Sequence, residues 1–422
     1  MENRMRKSLP HAGRPWSELE PDMDAMTRND IDWRRGRSPM YVFYTTDSVY
    51  DVATKAFFKY FTENGLGNAK AFLGVGQMER EILEMGLSLF HAPEAAVGTM
   101  TTGGTESLLL AIKTCRDWTR AHRPGVKRPN IVAPMSVHPA FDKAADLMDL
   151  EVRRTPLRPD CSADPAAIDR AIDDQTMMIV GSAPCFPHGI VDPIAELGAI
   201  GVARGLWLHV DACVGGYLAP FARKLGYPVP EFDFAVPGVW SMSADLHKFG
   251  HCPKPASTVF YRTPELHAFQ KFDHAEWSGG RMITQTYVGT RPGGAIAAAW
   301  AVMHHLGEAG YLEISRRILE MSRAYVDGIN AVPGLQVVGQ PHLSIVSYAS
   351  TDPAVPIAAV ADRLRSSGWL IGMTREPPAI VTMLSLLHEP VREEYLGDLR
   401  QAVEALRRGT TAPAAQAQAS YS

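Results

Sequence analysis

The hydrophobic pattern between residues 95 and 262 alternates between two periods. Short β-prone apolar runs occupy residues 96–100, 130–133, 177–180 and 206–210, and the helical period fills residues 107–118, 140–148 and 194–203. This alternation predicts an α/β fold, in which a mostly parallel sheet is covered by helices on both faces. Ligands of such sheets bind beyond the carboxyl ends of the strands.

The flanking segments follow other patterns. The first 35 residues are polar and contain prolines, which predicts an irregular arm, whereas residues 47–61 and 78–90 carry apolar side chains at helical spacing. Two further helices are expected at residues 295–306 and 311–329. After Pro333-Gly334 the pattern is typical of a small α+β domain, with elements at residues 335–338, 343–348, 357–365, 380–387 and 391–408.

Four segments are therefore expected along the chain. They are an N-terminal arm with helices (1–75), a large domain that carries the ligand site (76–310), a small C-terminal α+β domain (311–408) and a tail (409–422). The tail is rich in Ala, Gln, Ser and Thr, a composition that predicts disorder.

Composition and charge exclude several classes of protein. The chain of 422 residues is 46% hydrophobic and 21% charged, which fits a globular protein. Its net charge is -4, and the sequence lacks the basic face that binding of nucleic acid requires. No apolar run reaches the length of about 18 residues that a membrane span needs, so none is predicted, and the N-terminus lacks the apolar core of a signal peptide. Five scattered cysteines indicate a reduced, cytoplasmic protein, and no cluster has the spacing of metal ligands.

Three motifs carry candidate chemistry. Lys248 follows a short apolar run, Asp211 ends the strand at 206–210, and the glycine-rich segment Thr101–Ser107 opens an amphipathic helix. An amine that can form a Schiff base, a carboxylate that can face a protonated pyridine nitrogen, and a phosphate cradle are the parts that a pyridoxal-phosphate site requires. Each motif also has a plain alternative, namely a solvated lysine, an Asp–Arg salt bridge and a simple strand-to-helix turn.

Four further residues have two readings each. His138 could stack on a cofactor ring or be a satisfied polar residue at a strand end, and His247 could hold a phosphate or shuttle a proton. Lys254 could be an exposed loop lysine or a ligand contact. Arg291, in a second loop of small residues, could be structural or could grip a substrate carboxylate.

Taken together, the motifs resemble those of the sphingosine-1-phosphate lyases and, more broadly, the group II pyridoxal-phosphate decarboxylases of the aspartate-aminotransferase fold (fold type I). The matching segments span about residues 75–310 and are TGGTES (102–107), HPAFDKAA (138–145), GSAPCFPHGIVDPI (181–194), HVDACVGG (209–216), SADLHKFGHCPK (243–254) and GTRPGG (289–294). Their joint occurrence in this order is highly specific.

The resemblance implies a role for each matching position. Lys248 would be the Schiff-base lysine, Asp211 the partner of the pyridine nitrogen and His138 the residue stacked on the ring. The phosphate of pyridoxal 5'-phosphate would be held by Gly104, Thr105 and His247, with Gly289 and Thr290 reaching in from the second subunit of a C2 homodimer. Lys254 would help to bind the substrate's phosphate.

The chain also departs from the lyases at positions that concern the substrate. Asn64-Gly-Leu-Gly67 stands where the lyases have Asn-Pro-Leu-His, and Gly279-Gly280 is followed by Arg281 instead of a tyrosine. Arg281 and Tyr44, or Tyr41 in its place, are the remaining candidates for substrate contacts.

Two reactions are favoured at this point, both on a small-molecule amine or amino acid, while transamination and cofactor binding without turnover are weaker alternatives. The first is retro-aldol cleavage of a phosphorylated β-hydroxy amine by a carbon–carbon lyase. The second is α-decarboxylation of an amino acid, which uses the same electron sink. The lost histidine and tyrosine, together with Arg281, favour the second somewhat, and Lys254 favours the first.

Overall fold

The structure, a computed structural model, describes residues 6–409 and is built around a seven-stranded sheet. Its strands are β1 (Val97–Thr101), β2 (Asn130–Pro134), β3 (Glu151–Thr155), β4 (Thr176–Ser182), β5 (Trp207–Asp211), β6 (Val239–Ala244) and β7 (Ser257–Tyr261). The order across the sheet is β1-β7-β6-β5-β4-β2-β3, and only β7 runs antiparallel to its neighbours. Because β1, β5 and β6 are therefore parallel, their carboxyl ends meet at one edge.

Helices cover both faces of this sheet, as the alternating pattern predicts. They are α1 (Trp16–Met26), α2 (Asp47–Lys59), α3 (Leu73–Leu89), α4 (Gly104–His122), α5 (Ala140–Met148), α6 (Pro165–Ala171), α7 (Ile194–Arg204), α8 (Ala219–Lys224), α9 (Pro264–His267), α10 (Gly293–Asn330), α11 (Ile357–Ser366) and α12 (Arg392–Arg407). Leu108 of α4 and Phe141 of α5 pack on one face, and Leu197 of α7 packs on the other. The α/β fold class is confirmed.

A second core lies in the C-terminal part of the chain. The remaining strands are β8 (Phe272–His274) and β9 (Met282–Thr284), which form a hairpin, and β10 (Leu335–Val337), β11 (Ile345–Ser350), β12 (Gly372–Arg375) and β13 (Pro378–Met383). The last four form an antiparallel sheet in the order β10-β11-β13-β12, which packs with α11 and α12 around Tyr348, Trp369 and Tyr395. The domain boundaries expected from the sequence stay a prediction.

Several elements differ from the sequence-based expectation. The N-terminal arm is not wholly irregular, because α1 forms there although it contains Pro21 and buries no residue, so no apolar stripe marks it. The edge strand β3 was missed because its residues are mostly polar and only partly buried. Gly307, with φ +52°, breaks α10 between the two helices expected there. The tail at residues 410–422 lies outside the described residues.

Among residues 6–409 no helix combines the length and the apolar character needed to cross a bilayer. The same residues contain no group of three or more His, Cys, Asp or Glu side chains arranged to hold a metal ion.

Arg291 has the structural role, which is one of the two roles considered for it from the sequence. The residue is 8% exposed, and its guanidinium binds the Glu79 carboxylate through two hydrogen bonds of 2.6 and 3.0 Å. It also donates to the carbonyl of Met100 at 3.2 Å. This ion pair joins α3 and the end of β1 to the loop before α10, so the guanidinium is committed to the protein itself.

Replacing Arg291 with Met is expected to lower the free energy of unfolding by about 3–5 kcal/mol, because Glu79 is left as a buried charge without a cation. The double variant Arg291→Met/Glu79→Leu should recover most of that loss. Urea unfolding followed by circular dichroism measures both. A loss below about 1 kcal/mol in the single variant would contradict the structural role.

Candidate active site

A cavity of about 410 Å³, called the edge cavity, opens where β1, β5 and β6 end. Six of the residues singled out in the sequence line it: Gly104, Thr105, His138, Asp211, His247 and Lys248. They come from four separate segments of the chain, and the parallel strands bring them together. The location agrees with the rule that α/β sheets bind ligands at the carboxyl ends of their strands.

The glycine-rich loop forms an anion cradle at the edge cavity. α4 begins at Gly104, and the backbone N–H groups of its first turn have no acceptor inside the helix. A Cβ atom at Gly104 would lie 2.8 Å from Cys213 Sγ and 3.0 Å from both carboxylate oxygens of Asp245, so only glycine fits without a shift. The donor set and the space fit the phosphate of pyridoxal phosphate.

Glu106, which sequence reasoning missed, holds this cradle in shape. One carboxylate oxygen accepts hydrogen bonds from Thr102 N and Thr102 Oγ1 at 2.7 and 2.6 Å. The other accepts from the backbone N–H groups of Tyr287 and Val288 at 2.9 and 3.2 Å. The buried acid therefore fixes the glycine loop and the segment before Gly289 together.

Asp211 is the last residue of β5 and is 7% exposed. One carboxylate oxygen accepts from Cys213 N at 3.1 Å. Among residues 6–409 no arginine forms an ion pair with it, so the alternative of an Asp–Arg salt bridge does not apply. A buried carboxylate that lines a cavity and forms no ion pair with the described residues fits the protonated pyridine nitrogen of the cofactor.

Lys248 pairs with Asp245, the second important residue that sequence reasoning missed. Lys248 Nζ lies 3.0 Å from the Asp245 carboxylate, whose side chain is 1% exposed. Asp245 also accepts from Ser257 Oγ at 2.5 Å, and His247 Nε2 lies 3.5 Å away. The signal was available in the sequence, because Asp245 precedes Lys248 by three residues in SADLHK.

Each charge of this pair shifts the pKa of the other group. Burial alone raises the pKa of Asp245, but the ammonium of Lys248 and the hydrogen bond from His247 outweigh it and hold the pKa below its usual value. Burial alone lowers the pKa of Lys248, but the Asp245 carboxylate outweighs it and raises the pKa above its usual value. Lys248 is therefore an ammonium ion as long as it faces Asp245.

The two histidines of the edge cavity are fixed through their backbone neighbours. His138 Nδ1 accepts from Ala140 N at 3.1 Å, and burial lowers the pKa of His138, so the ring is neutral and suited to stacking. His247 Nδ1 accepts from Ala256 N at 3.1 Å, which directs Nε2 toward Asp245.

A second cavity of about 530 Å³, called the Lys254 cavity, shares His247 with the edge cavity. Lys254 Nζ donates to the Tyr41 carbonyl at 3.4 Å, and burial lowers the pKa of Lys254 with a further contribution from the charge of Lys248. Tyr44 also lines this cavity, and its hydroxyl hydrogen-bonds to Asp47. Burial and that bond raise the pKa of Tyr44 to about 12.

Three predicted site residues lie elsewhere in the single chain. Arg281 sits at the β8–β9 hairpin, where two hydrogen bonds of 2.7 Å join it to Asp273. Gly289 and Thr290 do not line the edge cavity of their own chain. Their assignments to substrate and cofactor stay predictions.

The fold and the site define a class of protein. A seven-stranded sheet of this order, with an anion cradle, a buried carboxylate and a lysine at one edge, is the arrangement of the fold type I pyridoxal-phosphate enzymes. The family model described as the pyridoxal-dependent decarboxylase conserved domain matches residues 74–350. The chain belongs to this family, and it is a pyridoxal-phosphate-dependent lyase.

Individual relatives agree with this membership. A sphingosine-1-phosphate lyase of Arabidopsis thaliana is 40% identical over 92% of this chain and 72% of its own length. One from Oryza sativa is 38% identical over 96% of this chain and 75% of its own length. The solved structure of a Burkholderia pseudomallei sphingosine-1-phosphate lyase superposes with a TM-score of 0.91 at 35% identity and covers 97% of this chain and 95% of that one. The resemblance inferred from the motifs is confirmed.

Replacing Asp245 with Asn in the cofactor-free protein is expected to lower the pKa of Lys248 by at least about one unit, because the main charge that opposes the effect of burial is removed. Competitive acylation across a pH series, with mass spectrometry of the Lys248 peptide, gives the midpoint. The exposed Lys127 is the internal standard, and Asp245→Glu should keep the higher midpoint. Equal midpoints in the native and Asn proteins would rule out the charge effect.

Proposed function

We propose that the protein is a carbon–carbon lyase that cleaves a phosphorylated β-hydroxy amine between its α- and β-carbons. The observation that supports this most is the amine of Lys254, which lines a cavity that shares His247 with the edge cavity. A cation one cavity away from Lys248 suits a substrate whose phosphate lies a few atoms from its amine. Sphingosine-1-phosphate, named in the relatives, is such a compound.

The residues of the edge cavity would each bind or orient a different part of the cofactor. Pyridoxal phosphate, when bound, supplies an electron sink beside the bond that breaks. Lys248 would hold the cofactor covalently and release it to the substrate amine, and the Asp211 carboxylate would favour positive charge on the ring nitrogen. Gly104, Thr105 and His247 would hold the cofactor phosphate, and the neutral His138 would pack on the ring.

The substrate contacts follow from the Lys254 cavity. The Lys254 ammonium would bind the substrate phosphate. The raised pKa of Tyr44 keeps its phenol protonated at neutral pH, and the hydroxyl would donate its one proton to the phosphate in place of Asp47, to which it donates here. The small-molecule amine therefore approaches from the N-terminal segment.

The alternative, α-decarboxylation of an amino acid, has less support. It is favoured by the family description and by the loss of the lyase histidine and tyrosine. A decarboxylase needs a group that recognises a carboxylate, but Arg291 is committed to Glu79 and Arg281 is paired with Asp273.

We also propose a C2 homodimer in the cytoplasm, without nucleic acid as a partner. Large apolar side chains are exposed on α2, just after it and just before the 289–294 loop, among them Phe58, Phe61 and Tyr287, and a symmetric partner would cover them. All five cysteines are free thiols and buried, which suits a reducing compartment.

Lys248→Ala is expected to abolish both the yellow absorbance of the bound cofactor and aldehyde release. The fold should persist with a lower free energy of unfolding, because Asp245 loses its cation but keeps the hydrogen bond from Ser257. Lys254→Met is the matched control, which should stay yellow but lose about 10- to 100-fold in kcat/KM for the phosphorylated amine, as expected for a lost charged hydrogen bond. Aldehyde and carbon dioxide are measured by mass spectrometry. Carbon dioxide from an amino acid, without aldehyde from any phosphorylated β-hydroxy amine, would establish the alternative.

Mixing two inactive variants tests the shared site. If Thr290 serves the partner's cofactor, a dimer of one Lys248→Ala chain and one Thr290→Trp chain contains one intact site. Random reassociation should then restore about a quarter of the native activity, since half of the dimers are mixed and each has one working site of two. Activity no higher than the sum of the separate variants would contradict a shared site.

A further inference from the structure

Asp192 is a fully buried acid that binds the wall of the edge cavity from behind. The residue is 0% exposed and does not itself line the cavity. Its Oδ1 atom accepts a hydrogen bond from Ala163 N at 2.8 Å, and its Oδ2 atom accepts one from Ser182 N at 2.7 Å. Among residues 6–409 no basic side chain forms an ion pair with Asp192. A buried carboxylate without a cation is costly, so its position calls for an explanation.

Asp192 closes the loop that follows β4. Its backbone N–H donates to the Ser182 carbonyl at 2.9 Å while its side chain accepts from Ser182 N, so the two residues form a closed pair at the base of the loop. The loop between them carries Pro184 and Phe186, which line the edge cavity together with Ser182. Asp192 therefore fixes one wall of the cofactor site.

The same pair sets the surroundings of Asp211. Ser182 and Asp211 are opposite each other in the register of β4 and β5. Immediately after Ser182, the N–H of Ala183 donates to the Asp211 carbonyl at 2.8 Å. The end of β5, where Asp211 lines the edge cavity, is thus held by the end of β4, and the end of β4 is held by Asp192.

The charges around Asp192 are acidic. The ionisable groups that interact with it are Asp160, Asp211 and Cys185. Burial raises the pKa of Asp192 to about 7, with further contributions from the charges of Asp160 and Asp211, and its two backbone hydrogen bonds oppose this rise. A positive charge beside Asp211 would favour the ionised form of Asp192, and a protonated pyridine nitrogen is such a charge.

We infer that Asp192 is a positioning residue for the cofactor ring, which holds the strand end that carries Asp211 and adds a second negative charge behind it. Because linkage is reciprocal, a ring proton that favours the ionised Asp192 is itself favoured by that carboxylate. A protonated ring is the stronger electron sink, so the inference applies to retro-aldol cleavage and to decarboxylation alike. It rests on the proposed contact between Asp211 and the ring nitrogen and does not depend on the substrate.

The ring nitrogen reports on this charge directly. The holoenzyme is reconstituted with pyridoxal phosphate that is isotopically labelled at the ring nitrogen, and the NMR chemical shift of the label gives the protonation of the ring across a pH series. The ring of the Asp192→Asn enzyme should begin to lose its proton about one pH unit lower than that of the native enzyme, because a neutral amide replaces a nearby carboxylate. The same onset in both enzymes would overturn the charge role.

A matched control shows whether the effect is local. Asp233 is also buried, at 1% exposure, and accepts a backbone hydrogen bond from Ala235 N at 3.0 Å, but it is remote from the residues that line the edge cavity in their hydrogen bonding. Asp233→Asn should therefore keep the native onset. An equal fall in both variants would indicate a general loosening of the fold and overturn the assignment.

Asp211→Asn separates this inference from the contact on which it rests. That variant removes the proposed direct partner of the ring nitrogen and should lower the onset further than Asp192→Asn does. If Asp211→Asn lowers the onset and Asp192→Asn does not, only the role of Asp192 fails. If neither variant lowers it, the proposed contact of Asp211 fails together with the role of Asp192.

The native protein offers a test that does not require the Asp192 variant to fold. Asp192 is partly protonated in the cofactor-free protein at neutral pH, since its pKa is about 7, and cofactor binding should ionise it. The infrared difference spectrum of the loaded minus the cofactor-free protein should then show loss of the carbonyl band of a buried carboxylic acid. Asp233→Asn should retain this loss. A native difference spectrum without it would overturn the charge role.

Discussion

A buried ammonium ion needs a counter-charge, and this requirement organises the site. The Asp245 carboxylate meets Lys248 at 3.0 Å and also accepts from Ser257. Ser257 lies 2.9 Å from Ser107, and Ser107 lies 2.6 Å from Thr101. The reactive amine is thereby connected through buried hydrogen bonds to the start of α4, where the anion cradle lies, so the two ends of the cofactor site are positioned by one network.

Two other buried acids have a comparable role at the loop before α10. Glu106 accepts the N–H groups of Tyr287 and Val288, and Glu79 binds Arg291. The short segment between these two anchors contains Gly289 and Thr290. It is therefore held on both sides, although neither residue lines the edge cavity of its own chain. Such pre-organisation suits a segment that serves a neighbouring subunit, because little entropy is then lost when it docks.

The edge cavity and the Lys254 cavity are built from different kinds of segment. The edge cavity is built by strand ends of the rigid large sheet, where small displacements of Lys248, Asp211 and the cradle would be costly. The Lys254 cavity is lined partly by a less regular segment, which carries Tyr41 and Tyr44. Relatives of one fold can therefore share a cofactor and differ in reaction.

Much of the large domain was predictable because local patterns carry the information. The alternation of strand and helix periods predicted the parallel sheet, and residues such as Asp211 and Lys248 were recognisable because each follows directly on an apolar strand. The small sheet was predicted in outline, although β12 was missed, since a four-residue strand leaves almost no periodic signal. α1 was missed for a related reason, because a helix that buries nothing needs no apolar stripe.

By itself, the sequence determined the fold class, the cofactor and the lysine that is expected to hold it, because these depend on motifs whose residues are adjacent in the chain. Only the tertiary structure decided that Arg291 is committed to Glu79, and that Glu106 joins the glycine loop to the segment before Gly289. The reason is physical: a charge or a hydrogen-bonding atom acquires its role from the partner it meets, and these partners come from distant segments of the chain.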